Sequence, residues 1–69
     1  MREQLDSLVQ LMIDRGIRYE DARRELEKVF ITRALQRSHG NVGEAAELLG
    51  IHRNTVTRKM AEYRIKASR

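Results

Sequence analysis

Between Gly50 and Tyr63 the chain gathers side chains that can hydrogen-bond to the edges of nucleobases: His52, Arg53, Asn54 and Thr57, followed by Arg58 and Lys59. Arginine can bond a guanine edge with two parallel N–H groups, asparagine can do the same on adenine, and threonine offers a hydroxyl or a methyl. Lysine and arginine at the flanks neutralise phosphates. At 100° per residue, Asn54, Arg58 and Ala61 share one helix face, flanked by Arg53 and Thr57, and Val56, Met60 and Tyr63 share the opposite face. A helix of this kind can be held by its apolar side while its N-terminal residues reach base edges in a major groove.

Such a helix must be anchored by what precedes it. Leu49-Gly50-Ile51-His52 reads as a tight turn, with Gly50 free to take the positive φ that a sharp bend requires and Ile51 expected to plug the turn into the core. Before it, Asn41 is a good N-cap, and Glu44 stands three residues later at capping-box spacing. Val42, Ala45, Ala46 and Leu49 then follow at i, i+3, i+4 and i+7, a short helix ended by Gly50. Its alanines are small enough to let the next helix approach closely. Its capped N-terminus can present backbone N–H groups to a phosphate. Residues 41–63 thus form a helix-turn-helix, with the last helix starting near His52 or Arg53 and the chain fraying over 65–69.

Two more helices are expected upstream. The first runs from about Glu3 to Arg15 and stops at Gly16, with Leu5, Leu8, Val9 and Met12 at helical spacing and Leu11 and Ile13 added. The second runs from about Tyr19 to Ser38. Glu20 and Asp21 open it and Arg33 and Arg37 close it, as the helix dipole prefers. Gly40 stands where a left-handed cap is wanted, with His39 beside it as a dipole partner. The apolar residues of this helix, from Ala22 and Leu26 through Val29, Phe30, Ile31, Ala34 and Leu35, spread over roughly 240°, far wider than the ~100° stripe that one-sided packing needs. It must touch more than one partner. Either the first helix alone wraps it, or the first helix does so together with a second copy of the chain. The second arrangement is favoured because a chain of 69 residues has little core of its own to spare.

Charge is distributed unevenly. Residues 1–51 carry net −1, whereas residues 52–69 carry six basic side chains (Arg53, Arg58, Lys59, Arg64, Lys66, Arg69) against Glu62, net +5. Such a field suits a polyanion. Arg23 and Arg24 sit among Glu20, Asp21, Glu25 and Glu27, where pairing along the helix is the default. Cysteine is absent, and His39 and His52 have no third ligand patterned around them, so neither a disulfide nor a metal site is expected. No apolar run approaches a membrane span, and no secretory signal is evident. Nothing arranges a nucleophile with its base, a phosphate loop or paired carboxylates. The chain reads as a non-enzyme without cofactor. Met12 and Met60 are expected in core, and Tyr63 on the third helix with its hydroxyl outward.

The residues Leu26 through Leu35, then Gly40-Asn41-Val42, Ala45-Ala46, Leu49-Gly50-Ile51 and Arg53-Asn54-Thr55-Val56-Thr57-Arg58-Lys59-Met60 resemble the Fis-type helix-turn-helix. That family includes the nucleoid protein Fis and the C-terminal DNA-binding domains of NtrC-type activators of sigma-54 promoters. His52-Arg53 is also similar to the effector domain of RegA/PrrA-type response regulators. The resemblance covers about residues 22–65. It implies an all-α chain of four helices in one domain, with 1–39 for dimerisation and 40–65 as the helix-turn-helix. It implies a homodimer through Leu5, Leu8, Val9, Met12, Leu26 and Phe30, bound to inverted-repeat duplex DNA, often with bending. Carried over by position, Arg53 is the main base contact with His52 beside it, Thr55 and Arg58 meet phosphates, Lys59 lies nearby, and Asn41 caps a helix close to the DNA backbone.

Two departures stand out. Thr57 replaces a basic side chain of the nucleoid protein, and Tyr63-Arg64-Ile65 replaces a glycine-containing turn, so an altered turn is expected, with Arg64 adding a phosphate contact. The chain is also shorter at its N-terminus, so the recombinase-contacting arm is not expected. Three roles fit these features: a sequence-specific transcription regulator, an architectural protein that bends DNA, or a helical adaptor without nucleic acid. RNA polymerase and a regulatory domain are further candidate partners, and a bacterial cytoplasmic, nucleoid-associated location is expected.

Overall fold

The computed structural model describes residues 1–66, and among them it contains four α-helices and no strand. These are α1 (Arg2–Asp14), α2 (Tyr19–Arg37), α3 (Val42–Leu49) and α4 (Arg53–Tyr63). All four elements fall within a residue or two of where periodicity and caps place them. The packed pairs are α2 with α3, α3 with α4, and α2 with α4. Their shared core consists of Ile31, Ala34 and Leu35 from α2, Ala45 and Ala46 from α3, and Val56 from α4. Val42, Leu49, Met60 and Ile65 close around it, half-buried.

This three-helix core uses only one side of α2. Leu26, Val29 and Phe30, on its other side, are about half exposed, between 46% and 55%. The first helix does not cover them. It buries none of its residues; Leu5, Leu8, Val9 and Leu11 all lie above 40% exposure, and Met12 is half-buried. The arrangement in which α1 alone wraps α2 is therefore not what the chain adopts. Exposed apolar side chains are thus left on both helices that are not part of the helix-turn-helix.

Every helix ends the same way. One residue turns into the left-handed region, its N–H reaches back three residues, and the next N–H reaches back five. The pairs are Gly16 and Ile17 onto Ile13 and Met12 (3.0 and 2.9 Å), His39 and Gly40 onto Gln36 and Leu35 (3.3 and 2.8 Å), Gly50 and Ile51 onto Glu47 and Ala46 (3.2 and 3.1 Å), and Arg64 and Ile65 onto Ala61 and Met60 (3.3 and 2.8 Å). This Schellman geometry satisfies the orphan carbonyls of a helix end. Glycine fills the left-handed position at two of the ends, Gly16 (φ 73°) and Gly50 (φ 69°). His39 (φ 55°) and Arg64 (φ 54°) fill it at the others.

Two expectations are corrected here. His39, not Gly40 alone, is the residue that reverses α2, so its place is set by backbone conformation. The turn after α4 is not altered by the lack of glycine: Arg64 adopts the glycine-like conformation, and Ile65 packs onto the core. The fraying expected over 65–69 thus does not apply to Ile65, while Ala67, Ser68 and Arg69 lie outside the described residues. A side chain in the left-handed region costs about 1–2 kcal/mol, and glycine gives back about half of that in chain entropy. His39→Gly and Arg64→Gly are each expected to stabilise the fold by about 0.5–1 kcal/mol, read as a higher thermal midpoint at fixed protein concentration.

One small polar residue joins α2 to α3. Ser38 is buried, and its hydroxyl donates to the Asn41 carbonyl at 2.8 Å with the Leu35 carbonyl at 3.3 Å as a second acceptor. It fixes the angle at which the helix-turn-helix leaves α2. No sequence pattern marked it, because the bond it makes depends on the chain reversing at His39.

Candidate nucleic-acid interface

The reading surface is built from two caps. At the start of α3, the Asn41 side-chain oxygen accepts from the Glu44 N–H at 2.9 Å, as its residue type predicts. The capping box is completed differently: the Asn41 N–H donates to the Ser38 carbonyl at 3.0 Å. At the start of α4, His52 Nδ1 accepts from the Asn54 N–H at 3.0 Å. An acceptor Nδ1 places the ring proton on Nε2, so the exposed imidazole offers a donor beside Arg53. Capping is thus one function of His52, and the cap leaves its other nitrogen available.

From these caps α4 runs with Val56 fully buried and Met60 half-buried against the core. His52, Arg53, Asn54, Thr57 and Arg58 are exposed. Among the described residues neither Arg53 nor Arg58 is held in an ion pair. The Thr57 hydroxyl donates to the Arg53 carbonyl at 3.1 Å, which turns its methyl outward as the accessible group. Thr55 is half-buried and stands to the side of this face. It shares an open groove of about 300 Å³ with Phe30, Ile31, Leu49 and Ile51. Ile51 lines that groove and is 40% exposed, so it does not plug the turn as expected; Ile65 closes the core instead. The chain leaves the turn toward α4 with Ile51 facing the apolar side of α2.

Lys59 and Tyr63 point back into the protein. The Lys59 ammonium lies 3.2 Å from Glu27 and 3.6 Å from Glu62, and 5.9 Å from the centre of the Tyr63 ring. Tyr63 donates its hydroxyl to the same Glu27, on α2, not outward from α3 as its position on the wheel suggested. Glu27 also accepts from Arg23 at 3.2 Å, and Arg23 pairs with Glu20 at 2.6 Å, the along-helix pairing expected of this segment. The Tyr63 hydroxyl, then Lys59, hold the Glu27 carboxyl below its usual range. The same bond to Glu27 pushes the Tyr63 phenol up to about 12. Both shifts describe one state, an ionised Glu27 and a protonated phenol, which is the state present at neutral pH. The sequence did hold a signal for Lys59: it is three residues after Val56 and four before Tyr63, on the buried side of the helix.

Comparison with known proteins decides the family. Residues 22–63, more than half of the chain, match the family described as Bacterial regulatory protein, Fis family. The chain belongs to the Fis family. The match begins within α2 and ends with α4, so it takes in the helix-turn-helix and the helix that supports it. The Fis-family chain is 50% identical over 42 residues to the DNA-binding transcriptional regulator NtrC of Escherichia coli K12, covering 61% of this chain and 9% of that protein. It is 48% identical over 42 residues to NtrC of Klebsiella pneumoniae, again 61% of this chain and 9% of the relative. It is 42% identical over 45 residues to a protein of Xylella fastidiosa described as Fis-like and DNA-binding, covering 65% of this chain and 50% of the other. The chain therefore spans about a tenth of the NtrC proteins and half of the Xylella protein. No solved structure matches it. The fold and the family together make residues 41–63 a Fis-family helix-turn-helix. No helix among the described residues is long and apolar enough to cross a membrane.

Proposed function

We propose that this Fis-family chain binds duplex DNA as a homodimer and regulates transcription by reading an inverted repeat through the major groove. The observation that carries the reading is the set His52, Arg53, Asn54, Thr57 and Arg58, exposed on a helix whose other face is locked into the core. Arg53 is the main base contact, with the His52 Nε2–H and Asn54 beside it. Thr55 and Arg58 meet the phosphates, and the capped N-terminus of α3 at Asn41 approaches the DNA backbone. Lys59, engaged by Glu27, supports the helix from behind. A second copy covers the apolar surface of Leu5, Leu8, Val9, Met12, Leu26 and Phe30. Such a protein works in the bacterial cytoplasm, on the nucleoid, with RNA polymerase or a regulatory domain as a further partner.

Selection of bound duplexes from a random-sequence pool at moderate salt tests this. An enriched inverted repeat is the expected result. Binding without a motif would make the protein architectural, and no binding would leave the helix-turn-helix as a scaffold for protein contacts. Once a site is known, Arg53→Ala is expected to lose about 1–3 kcal/mol on it and less on random duplex. Equal losses on both, measured by titration at one salt concentration, would assign Arg53 to the phosphates.

A further inference from the structure

We infer that Glu27 is a positioning residue that sets the angle between the dimerisation helix and the reading helix, and through it the half-site spacing the protein accepts. The inference rests on the dimeric reading proposed above. Three observations carry it. Glu27 is half-buried on α2, one residue from Leu26 and three from Phe30, which belong to the uncovered apolar face. Its carboxylate is the meeting point of Lys59, Tyr63 and Arg23. Two of these belong to α4, where they occupy the C-terminal half of the helix, and Lys59 also pairs with Glu62 one turn on.

The mechanical consequence follows from where α4 is otherwise held. Its fully buried anchor is Val56, near the N-terminal end. An 11-residue helix is roughly 16 Å long at 1.5 Å per residue. Beyond Val56, Met60 and Ile65 also pack on the core but are only half-buried, so the far end of the helix is held less firmly than its start and has more freedom to shift along α2. The Glu27 cluster adds a polar tie to α2 on that less firmly held part, at Lys59 just under one turn and at Tyr63 about two turns beyond Val56, and so restrains the direction of the helix. In a two-fold dimer, any change in the direction of α4 relative to α2 occurs twice, with opposite sense. Half-sites read by paired helices lie about one helical turn of DNA apart, and neighbouring base pairs differ by only about 3.4 Å. A tied helix therefore accepts one spacing, and a loose one accepts several. Arg23 holds the other carboxylate oxygen of Glu27, so the carboxylate itself is oriented from within α2.

The test uses synthetic duplexes carrying the selected half-site twice, inverted, with the centre-to-centre spacing changed one base pair at a time. Glu27→Gln and Tyr63→Phe remove a charge or a donor and keep the shape, and Glu20→Gln, which loosens Arg23 from Glu20 but leaves both bonds from α4 to Glu27 in place, is the control. Dimer mass and helix content are followed for each. The wild type and Glu20→Gln are expected to lose about tenfold in affinity one base pair from the best spacing, as bivalent binding does when geometry opposes it. Glu27→Gln and Tyr63→Phe are expected to flatten that profile while single half-site affinity stays unchanged. A loss of stability alone would lower all spacings together and leave the profile sharp; a sharp profile in both variants overturns the inference. A wild type that shows no spacing preference overturns the inverted-repeat reading, and this inference with it.

Discussion

Leu26→Asp is expected to leave a monomer in solution and to lower affinity for a two-half-site duplex by about 10²–10⁴-fold, the advantage that linking two binding modules confers. Leu26 is 49% exposed on the side of α2 that α3 and α4 leave free, so the new carboxylate can reach solvent in the single chain. The three-helix core does not include it, and the helix-turn-helix should keep its fold and its affinity for a single half-site. In the proposed dimer the same carboxylate would be buried on an apolar face that includes Phe30, and desolvating it there strongly opposes association. Light scattering reads the mass, and titration with one-half-site and two-half-site duplexes reads the affinities. An unchanged dimer mass would show that this face is not the contact between copies. A monomer with undiminished affinity would show that dimerisation is irrelevant to binding.

Ala45→Leu is expected to destabilise the domain by about 1–3 kcal/mol and to lower its thermal midpoint by roughly 4–8 °C for each kcal/mol. Ala45 is 0% exposed and Ala46 is 4% exposed, and they face Val56, also 0% exposed. These small side chains are why α3 and α4 lie close enough for an eight-residue helix to hold its partner. Extra methylenes there must push α4 away, which also displaces Arg53 and Asn54. Leu48 on the same helix is 55% exposed, and Leu48→Ala is expected to change stability by less than about 0.5 kcal/mol. Thermal melting of the two variants at equal protein concentration separates crowding at the helix contact from any general effect of altering α3.

The parts legible in the sequence are those governed by local rules. Asn41 and Gly50 announce the two ends of α3 through side-chain chemistry and φ preference alone. Helical periodicity separates Val56 and Met60 from Arg53, Asn54 and Arg58. The wide apolar arc of α2 exceeds what one packing surface needs, and α3 and α4 cover only one side of it. What was not legible depends on long-range partners or on strain. His39 and Arg64 occupy conformations that residue preference assigns to glycine, and they do so because the following N–H groups, of Gly40 and Ile65, gain their bonds only if the reversal occurs there. Ile51 and Ile65 both follow a left-handed residue. Which of them is buried is decided by where the next segment of chain goes, a tertiary matter. The bond between Tyr63 and Glu27 spans 36 positions, and no periodicity within either helix points from one to the other.

The unburied first helix has a consequence for the life of the free protein. Thirteen residues are near the lower limit for a helix that persists in water without tertiary support, and α1 receives little from its own chain, burying none of its residues. If the proposed dimer covers it, its helicity becomes a property of concentration: dilution below the dissociation constant would melt it, and assembly would refold it. Helical content measured by circular dichroism should fall as the protein is diluted, while the caps at Asn41 and His52 persist. In a cell, a melted, exposed segment is the kind of chain that proteases cut first. In the proposed dimer, scarce protein would then be removed faster than abundant protein, and a DNA site that brings two copies together would shield both from degradation.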